Sequence, residues 1–389
     1  MKKIAFALEN FSRHAGGAES YAVSLATFLV QNGWEVHLFG EVWDGEPEGA
    51  IFHKITIPKY LPAWLKLVLF AIYHKNAVKK QHFDVILGFG NTLYMNVYQS
   101  HGGVHWLSAK RRVYSEKNEI KRAIKRLIIL LSLKQWARAW IESAPFRLYP
   151  RPKIVAISQM IKKDMSSYFR VKGADINVVY NGVDTSRYNQ NLRHNHRGAL
   201  RRQLGLEDDE IVFLFVSYDL KKKGIETLVE AGFQLKQMGS TNFKVVVVGG
   251  MPYRALSKQI KTLDIKDKVL FTGPIHSIEA YYANSDVFVL PTYYDACSLV
   301  VIEAMASGLP SITTTANGAA GIINDGKDGY IISHPPRSLD LAKKMQLLLN
   351  DEKRQQMSRE ALCKGRQYSA EKNHQSMIRI LGEVADLKI

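Results

Sequence analysis

The chain has 389 residues, 46% of them hydrophobic and 23% charged, which is the composition of an ordinary globular protein of about two domains. Extended disorder, collagen and coiled coil are thereby excluded. The two cysteines, Cys297 and Cys363, are too few for a disulfide framework and favour a reducing, cytoplasmic compartment. The chain has 53 Lys and Arg and 36 Asp and Glu, a net charge of +17. This excess indicates an anionic partner, which can be a nucleic acid, an anionic lipid or a phosphorylated substrate.

The N-terminal apolar run, residues 4–8, ends at Glu9, which is too soon for the core of a signal peptide. It predicts a first buried strand instead. No other run approaches the ~20 apolar residues of a membrane span. We therefore expect a protein that is neither exported nor integral to a membrane.

The first half of the chain alternates strand and helix patterns. After the strand at 4–8, residues 19–31 predict a helix, because their apolar positions recur every three or four residues. Further strands are predicted at 36–39, 85–89, 97–99 and 154–157. Continuous apolar runs joined by helices indicate a parallel sheet covered on both faces.

The second half repeats this alternation after a polar linker predicted at 189–198. Strands are predicted at 212–216, 245–248, 269–271, 287–290 and 311–314, and the tail from 337 is predicted to be helical. The fold class is therefore α/β, with two doubly wound, Rossmann-like domains facing a cleft. We predict an N-terminal domain at 1–185, a C-terminal domain at 186–365 and a last helix within 366–389 that packs back on the N-terminal domain.

Two short motifs are suited to phosphate. The loop Gly16-Gly17-Ala18-Glu19 precedes the first helix, where glycine N–H groups can approach an anion, although a structural turn is an open alternative. The run Lys221-Lys222-Lys223-Gly224 opens a later helix, and its ammonium groups oppose one another and the helix dipole unless an anion binds. A diphosphate satisfies that need, and a solvated lysine run is the alternative. Neither motif is the dinucleotide fingerprint, which argues against a nicotinamide-dependent enzyme.

Three further side chains are candidates for ligand contact. Asp295 precedes the predicted buried helix at 299–306, and Glu303 lies in the second turn of that helix. A carboxyl group among apolar residues is costly unless partnered, so Glu303 is predicted to accept ligand hydroxyl or N–H groups or, alternatively, to cap a loop. His101 follows the strand at 97–99, and a hydrogen-bonded structural histidine is its alternative role. No set of Cys and His has the spacing of a metal site, so no metal is predicted.

Together, these residues resemble the motifs of the retaining group-4 glycosyltransferases of the GT-B fold. The order along the chain also matches: the glycine loop at 16–19, Asn181-Gly182-Val183-Asp184, Lys223-Gly224, and the E-x7-E motif beginning at Asp295. Within the family, residues 101–106 and 295–298 look most like lipopolysaccharide-core enzymes that attach glucose to a heptose. Asp295 stands where the family usually has Glu. An Arg commonly accompanies the phosphate-binding Lys of the family, whereas only Lys221 and Lys222 are available here, so the phosphate geometry is expected to differ.

The resemblance implies a role for each candidate. Lys222 and Lys223 would neutralise the donor diphosphate, and Asp295 and His101 would contact the transferred sugar. The remaining donor contacts would come from the N–H groups at Gly16 and Gly17 and around Cys297, Ser298 and Leu299, the carboxylate of Glu303 on the ribose, and the backbone of Pro274 and Ile275 on the nucleobase. The donor would be a nucleotide sugar, UDP-glucose in the subfamily, used with retention of configuration and without a metal or other cofactor.

The basic segment 121–140 combines Lys and Arg with Leu, Ile and Trp. This pattern predicts an amphipathic helix that docks on an anionic membrane surface through Lys121, Arg122, Lys125, Arg126 and Trp136. With the resemblance, it predicts a peripheral protein on the inner face of the cytoplasmic membrane, acting on a lipid-anchored, phosphorylated glycan. The alternative is a basic helix partly packed into the N-terminal core.

Other functions stay open at the level of sequence. The nearest alternative is a group-4 glycosyltransferase of capsule or exopolysaccharide synthesis. More remote ones are a nucleotide-sugar epimerase on the same fold and a nucleic-acid-binding protein, although no helix-turn-helix, RRM or zinc signature supports the last.

Overall fold

The computed structural model describes residues 1–12, 16–189, 198–275 and 277–387. The chain forms two compact units, the first comprising Met1–Val113, Asn118–Tyr180 and Asn373–Ile389 and the second Tyr114–Lys117 and Asn181–Lys372. The change of unit thus falls at 180/181, a few residues before the predicted boundary at 185/186. Most of the predicted linker, residues 190–197, lies outside the described residues.

The first unit is built on a parallel sheet. Its strands are β1 (Lys3–Ala7), β2 (Asn10–Phe11), β3 (Glu35–Gly40), β4 (Val42–Trp43), β5 (Ile51–Lys54), β6 (Val85–Gly88), β7 (Val97–Ser100), β8 (Lys153–Ala156) and β9 (Ile176–Val178). Seven of them pair in the order β5-β3-β1-β6-β7-β8-β9, while β2 and β4 pair with each other. The central strands are buried along almost their whole length, as the continuous apolar runs predict.

Helices cover this sheet. They are α1 (Gly17–Gln31), α2 (Ala63–Val78), α3 (His105–Arg112), α4 (Glu119–Leu131), α5 (Leu133–Glu142) and α6 (Gln159–Phe169). None of the helices in the described parts of the chain is both long and apolar enough to cross a bilayer.

The prediction of one basic helix over 121–140 is wrong, because α4 and α5 are separated at Ser132. The backbone of Ser132 is extended (φ −78°, ψ 111°), so this residue ends α4 and begins α5. The indole N–H of Trp136 donates to the carbonyl oxygen of Leu130 at 2.7 Å. That bond satisfies one of the carbonyl groups that a helix end leaves without an intrahelical partner.

The second unit has its own parallel sheet. Its strands are β10 (Ile211–Ser217), β11 (Phe243–Gly249), β12 (Val269–Gly273), β13 (Val287–Leu290), β14 (Ser311–Thr314) and β15 (Gly329–Ile332), in the order β12-β11-β10-β13-β14-β15. The helices are α7 (Ala199–Gln203), α8 (Ile225–Gln237), α9 (Arg254–Thr262), α10 (Glu279–Ala283), α11 (Leu299–Ala306), α12 (Ser338–Leu347) and α13 (Asp351–Gly365). Both units are thus doubly wound and Rossmann-like, as predicted.

The last helix, α14 (Ala370–Asp386), belongs to the core of the first unit. Its side chains at a helical spacing are buried in one hydrophobic cluster with Ile4 and Phe6 of β1: Met377, Ile380, Leu381 and Val384. The predicted packing of the final helix on the N-terminal domain is therefore confirmed.

Candidate functional site

In the second unit, the loop after β10 is pinned to the loop after β13. Gly224 adopts a left-handed conformation (φ +83°), and a Cβ on it would come within 2.0 Å of the carbonyl oxygen of Pro291. The N–H of Tyr293 donates to the carbonyl oxygen of Lys222 at 3.0 Å. Because only glycine permits this approach, the sequence Lys-Gly brings the Lys223 ammonium onto the Asp295 carboxylate, and the two form an ion pair.

Each lysine of the run has a carboxylate partner. Lys221 pairs with Glu116 at 2.8 Å, Lys222 with Asp219, and Lys223 with Asp295. The Lys223 and Asp295 side chains are only 24% and 18% exposed, whereas Lys222 is half exposed. The lysine run is therefore not simply solvated. Its ammonium groups repel one another, and carboxylates offset that repulsion where the sequence had suggested a diphosphate.

The entry into α11 is held by two asparagine side chains. The amide group of Asn181 donates to the carbonyl oxygen of Cys297 at 3.3 Å. The side-chain oxygen of Asn317 accepts the N–H groups of Ser298 at 3.3 Å and Ala319 at 3.1 Å. The Ser298 N–H, predicted to contact the donor, is thus bonded to Asn317. The first turn of α11 begins at Leu299, and no side chain caps its N–H groups.

Cys297 is not a nucleophile. Its thiol is buried, and burial together with the nearby Asp295 carboxylate raises the pKa of the thiol to about 12. A thiol with this pKa stays protonated at neutral pH. The contribution of Cys297 to the site is therefore its backbone.

Glu303 projects from α11 towards two tyrosines. Burial raises the pKa of its carboxyl group to about 7, while hydrogen bonds from Tyr282 and Tyr188 and the charge of Arg187 act in the lowering direction. The Tyr282 hydroxyl donates to Glu303 Oε2 at 2.8 Å. The partner observed is thus a phenol from α10, not the backbone of a loop, which leaves the carboxylate able to accept further hydroxyl groups.

The neighbours of Glu303 were missed by the sequence analysis. Arg187 pairs with Glu279, and its guanidinium lies 5.6 Å from the Tyr188 ring, which meets the Tyr282 ring edge-on at 5.7 Å. A local signal for part of this cluster exists. The Asp184 carboxylate accepts hydrogen bonds from the N–H groups of Ser186 and Arg187 at 2.9 and 3.3 Å. An Asp side chain that bonds the backbone two residues later favours a turn, so Asp184 is a local signal for the turn that places Arg187.

The strands β10, β11 and β12 end beside one another at the edge where Pro274 and Ile275 lie. Gly249 has φ +108°, and a Cβ on it would come within 2.7 Å of the carbonyl oxygen of Ser217. Glycine therefore allows the ends of β10 and β11 to lie in direct contact. Pro274 is exposed and Ile275 half-buried. Two large side chains that follow β10 and β11, Tyr218 and Met251, are 76% and 61% exposed.

In the first unit, the predicted site residues lie near the carboxyl ends of β1, β6 and β7. The His101 ring packs between Tyr21 (4.5 Å between ring centroids) and Phe89 (5.2 Å), and burial lowers the pKa of His101 to about 3. Its Nε2 atom is buried without a hydrogen-bond partner among the described residues. Gly16 and Gly17 are exposed at the start of α1.

The two basic helices differ in how far they are buried. Helix α4 has no buried residue, and the exposed apolar side chains along it, here called the docking face, are Ile120, Ile124, Leu127, Ile128, Leu130 and Leu131. Lys121 and Arg126 are exposed and Arg122 and Lys125 half-buried. Helix α5 buries Ala137, Ile141 and Glu142 but leaves Trp136 exposed, so the packed-core alternative describes α5 and not α4.

Two family models cover most of the chain. Residues 15–187 match the model described as Glycosyltransferase Family 4, and residues 196–362 match the one described as Glycosyl transferases group 1. A glycosyltransferase of Methanocaldococcus jannaschii, MJ1607, is 28% identical over 206 residues, and the chain spans about half the length of that relative (52% of both chains). The lipopolysaccharide glucosyltransferase WaaG of Escherichia coli is 23% identical over 321 residues, 82% of both chains.

The fold also resembles solved structures along its whole length. The crystal structure of WaaG superposes with a TM-score of 0.79 at 20% identity, covering 97% of this chain and 99% of that one. Anabaena HepE in complex with UDP-glucose superposes with a TM-score of 0.70 at 19% identity, covering 98% of this chain and 100% of that one. At these identities the likeness establishes the two-domain fold.

Proposed function

Because the chain belongs to the group-4 glycosyltransferases of the GT-B fold, we propose that it transfers a hexose from a nucleotide sugar with retention of configuration. The proposed donor is UDP-glucose, and the proposed acceptor is a heptose of a lipopolysaccharide core. The observation that carries this proposal is one constellation of the second unit. It joins the Lys223–Asp295 pair, the uncapped first turn of α11 and the Glu303 carboxyl group on the same helix.

The donor diphosphate is proposed to bind at Lys222, Lys223 and the start of α11. Two ammonium groups and the positive end of a helix dipole act there on the charge that develops as the nucleoside diphosphate leaves. Phosphate oxygens compete with Asp295 for Lys223, so that the Asp295 carboxylate becomes available to a hydroxyl group of the transferred sugar. No metal or other cofactor enters this proposal, because the lysines and the helix N-terminus supply the positive potential.

The nucleoside is proposed to bind along the same helix and the neighbouring strand edge. Two oxygens of an ionised Glu303 accept the two ribose hydroxyl groups, while Tyr282 holds the carboxylate in place. The nucleobase lies at the backbone of Pro274 and Ile275. His101 and the Gly16-Gly17 loop keep the roles that the family resemblance implies, and the unpartnered Nε2 of a neutral His101 supports a contact with a sugar hydroxyl.

Analysis of products by nuclear magnetic resonance tests the function. With UDP-glucose and a heptose-containing core acceptor, we expect one new glycoside in the α configuration of the donor, and UDP released in equal amount. An epimerised nucleotide sugar without any glycoside would refute transfer. A glycoside formed only on capsule or exopolysaccharide precursors would refute the proposed acceptor while sustaining transfer.

We further propose that the protein binds peripherally to the anionic inner face of the cytoplasmic membrane. The docking face supports this, because its apolar side chains are 53–73% exposed and lie beside Lys121 and Arg126. Basic residues near an anionic leaflet contribute about 1 kcal/mol each. Such a surface brings the protein to the membrane in which a lipid-anchored acceptor lies.

Replacement of Ile124 and Leu127 by Asp should weaken binding to phosphatidylglycerol vesicles by about tenfold or more, because two apolar groups no longer enter the interface. The melting temperature should not fall, since both side chains are exposed. Co-sedimentation at low and high salt measures the effect. The matched control is the Asp substitution of Leu339 and Leu347, exposed leucines of the second unit. If the fraction of wild-type protein that sediments with vesicles depended neither on anionic lipid nor on salt, docking would be disproved.

A further inference from the structure

Four residues between α3 and α4 belong to the second unit although both flanking helices belong to the first. The chain leaves the first unit after Val113 and re-enters it at Asn118, and residues Tyr114–Lys117 are here called the crossing segment. α3 ends at Arg112 and α4 begins at Glu119. The segment that precedes the docking face is therefore part of the unit that holds the lysine run.

The crossing segment is attached to the second unit by three side chains. Glu116 Oε2 lies 2.8 Å from the ammonium nitrogen of Lys221, and Lys117 forms an ion pair with Glu230 of α8. The Tyr114 ring meets the His334 ring edge-on, with 5.5 Å between centroids. Three of its four residues thus contact side chains of the second unit, one of them in the lysine run.

Glu116 acts on the lysine run at the residue next to Lys222. Its side chain is 19% exposed and that of Lys221 is 39% exposed, so the pair contributes little to the stability of the fold. The effect of the pair is to position the Lys221 side chain. The other two lysines have partners from their own half of the chain, Asp219 and Asp295, whereas the partner of Lys221 arrives with the crossing segment.

The connection from the crossing segment to the docking face is short. Asn118 directly follows Lys117 and caps α4, its side-chain oxygen accepting the N–H of Lys121 at 3.0 Å. One capping residue separates the Lys117–Glu230 ion pair from the helix that carries the docking face. The contacts of the crossing segment with the second unit and the first residue of α4 are thus neighbours in the chain.

We propose that the crossing segment couples membrane docking of α4 to donor binding, with Glu116 as the positioning residue for Lys221 and the lysine run. This inference rests on the proposed function. Coupling between two binding events is reciprocal. If lipid binding raises the affinity for donor by a given factor, donor binding raises the affinity for lipid by the same factor.

The test measures the dissociation constant of UDP-glucose by calorimetry with and without saturating phosphatidylglycerol vesicles. In the wild-type chain, we expect anionic vesicles to raise donor affinity about fivefold or more, the lower end of typical coupling, and neutral phosphatidylcholine vesicles to leave it unchanged. In Glu116→Gln, vesicle binding should persist while the factor falls below about twofold. The exchange Glu116→Lys with Lys221→Glu should restore most of the factor.

The matched control is Glu119→Gln, which removes one negative charge three residues further along from a side chain that is 92% exposed. It should keep the wild-type factor. A wild-type chain whose donor affinity is the same with and without vesicles would overturn the inference, as would a Glu116→Gln variant that keeps the full factor. Absence of donor binding both with and without vesicles would contradict the proposed function itself, so the two failures are distinguishable.

Discussion

Substitution of Lys223 by Ala should lower kcat for hexose transfer by about 10³-fold while the chain stays folded. Lys223 is the lysine of the run that contacts Asp295, and its ammonium group is fixed by the approach of Gly224 to Pro291. Preorganised charge at the leaving group is the largest single contribution in reactions of this kind. Steady-state rates with UDP-glucose, together with circular dichroism, measure the loss and verify the fold.

Two comparisons show whether the loss is chemical. Lys222→Ala should cost about tenfold, because that side chain is half exposed and paired with Asp219 of its own loop. The double variant Lys223→Ala with Asp295→Asn removes both members of the ion pair, so it should recover stability without recovering turnover. Lys327→Ala, at an exposed pair with Glu360, is the control for loss of a lysine. A Lys223→Ala enzyme with the wild-type kcat would remove this residue from the reaction.

Substitution of Glu303 by Gln should weaken donor binding by about tenfold or more, with a smaller effect on kcat. An ionised carboxylate accepts both ribose hydroxyl groups, whereas an amide offers one acceptor oxygen and must place its NH2 group against a donor. Because the pKa of Glu303 is raised to about 7, donor affinity of the wild-type chain should fall as pH drops through that value. Calorimetric titration of UDP-glucose across this range should show the decline in the wild type and none in Glu303→Gln.

The same variant should be more stable than the wild type in alkaline solution. A carboxyl group whose pKa is higher folded than unfolded binds more protons in the folded state between the two values, so stability falls as pH rises from 4.5 to about 7. Gln carries no such penalty, and Glu303→Gln should therefore gain about 3 kcal/mol above pH ~7 and little at pH ~4. Scanning calorimetry measures both, with exposed Glu352→Gln as the control. Lower stability of Glu303→Gln throughout, with unchanged donor affinity, would make Glu303 a structural residue.

Local sequence carries the framework of the second unit well. Residues 287–290, 311–314 and 299–306 have the bounds predicted for them, because long apolar runs between turns leave little choice of element. The break at Ser132 was not predictable in this way. The amphipathic pattern continues on both sides of it, and serine is tolerated inside helices as well as at their ends.

The contacts that shape the candidate site are mostly beyond such patterns. Asn181 reaches Cys297 across 116 positions, and Glu116 reaches Lys221 across 105. Nothing local in the sequence marks either pair. The cost of burying Glu303 does predict that a partner exists, but its identity as Tyr282 depends on how α10 packs against α11.

Thermal unfolding of the full chain against a nucleotide panel tests most directly whether the second unit is a nucleotide-sugar site. The panel contains UDP, GDP, ADP, their glucose conjugates and a short duplex DNA, because the net charge of +17 alone also fits nucleic acid. A ligand at ~100 times its dissociation constant adds about 2.7 kcal/mol to the stability, a shift that is easily measured. We expect UDP and UDP-glucose to raise the melting temperature and the other nucleotides to have little effect. Stabilisation by DNA alone, lost on addition of salt, would contradict the account.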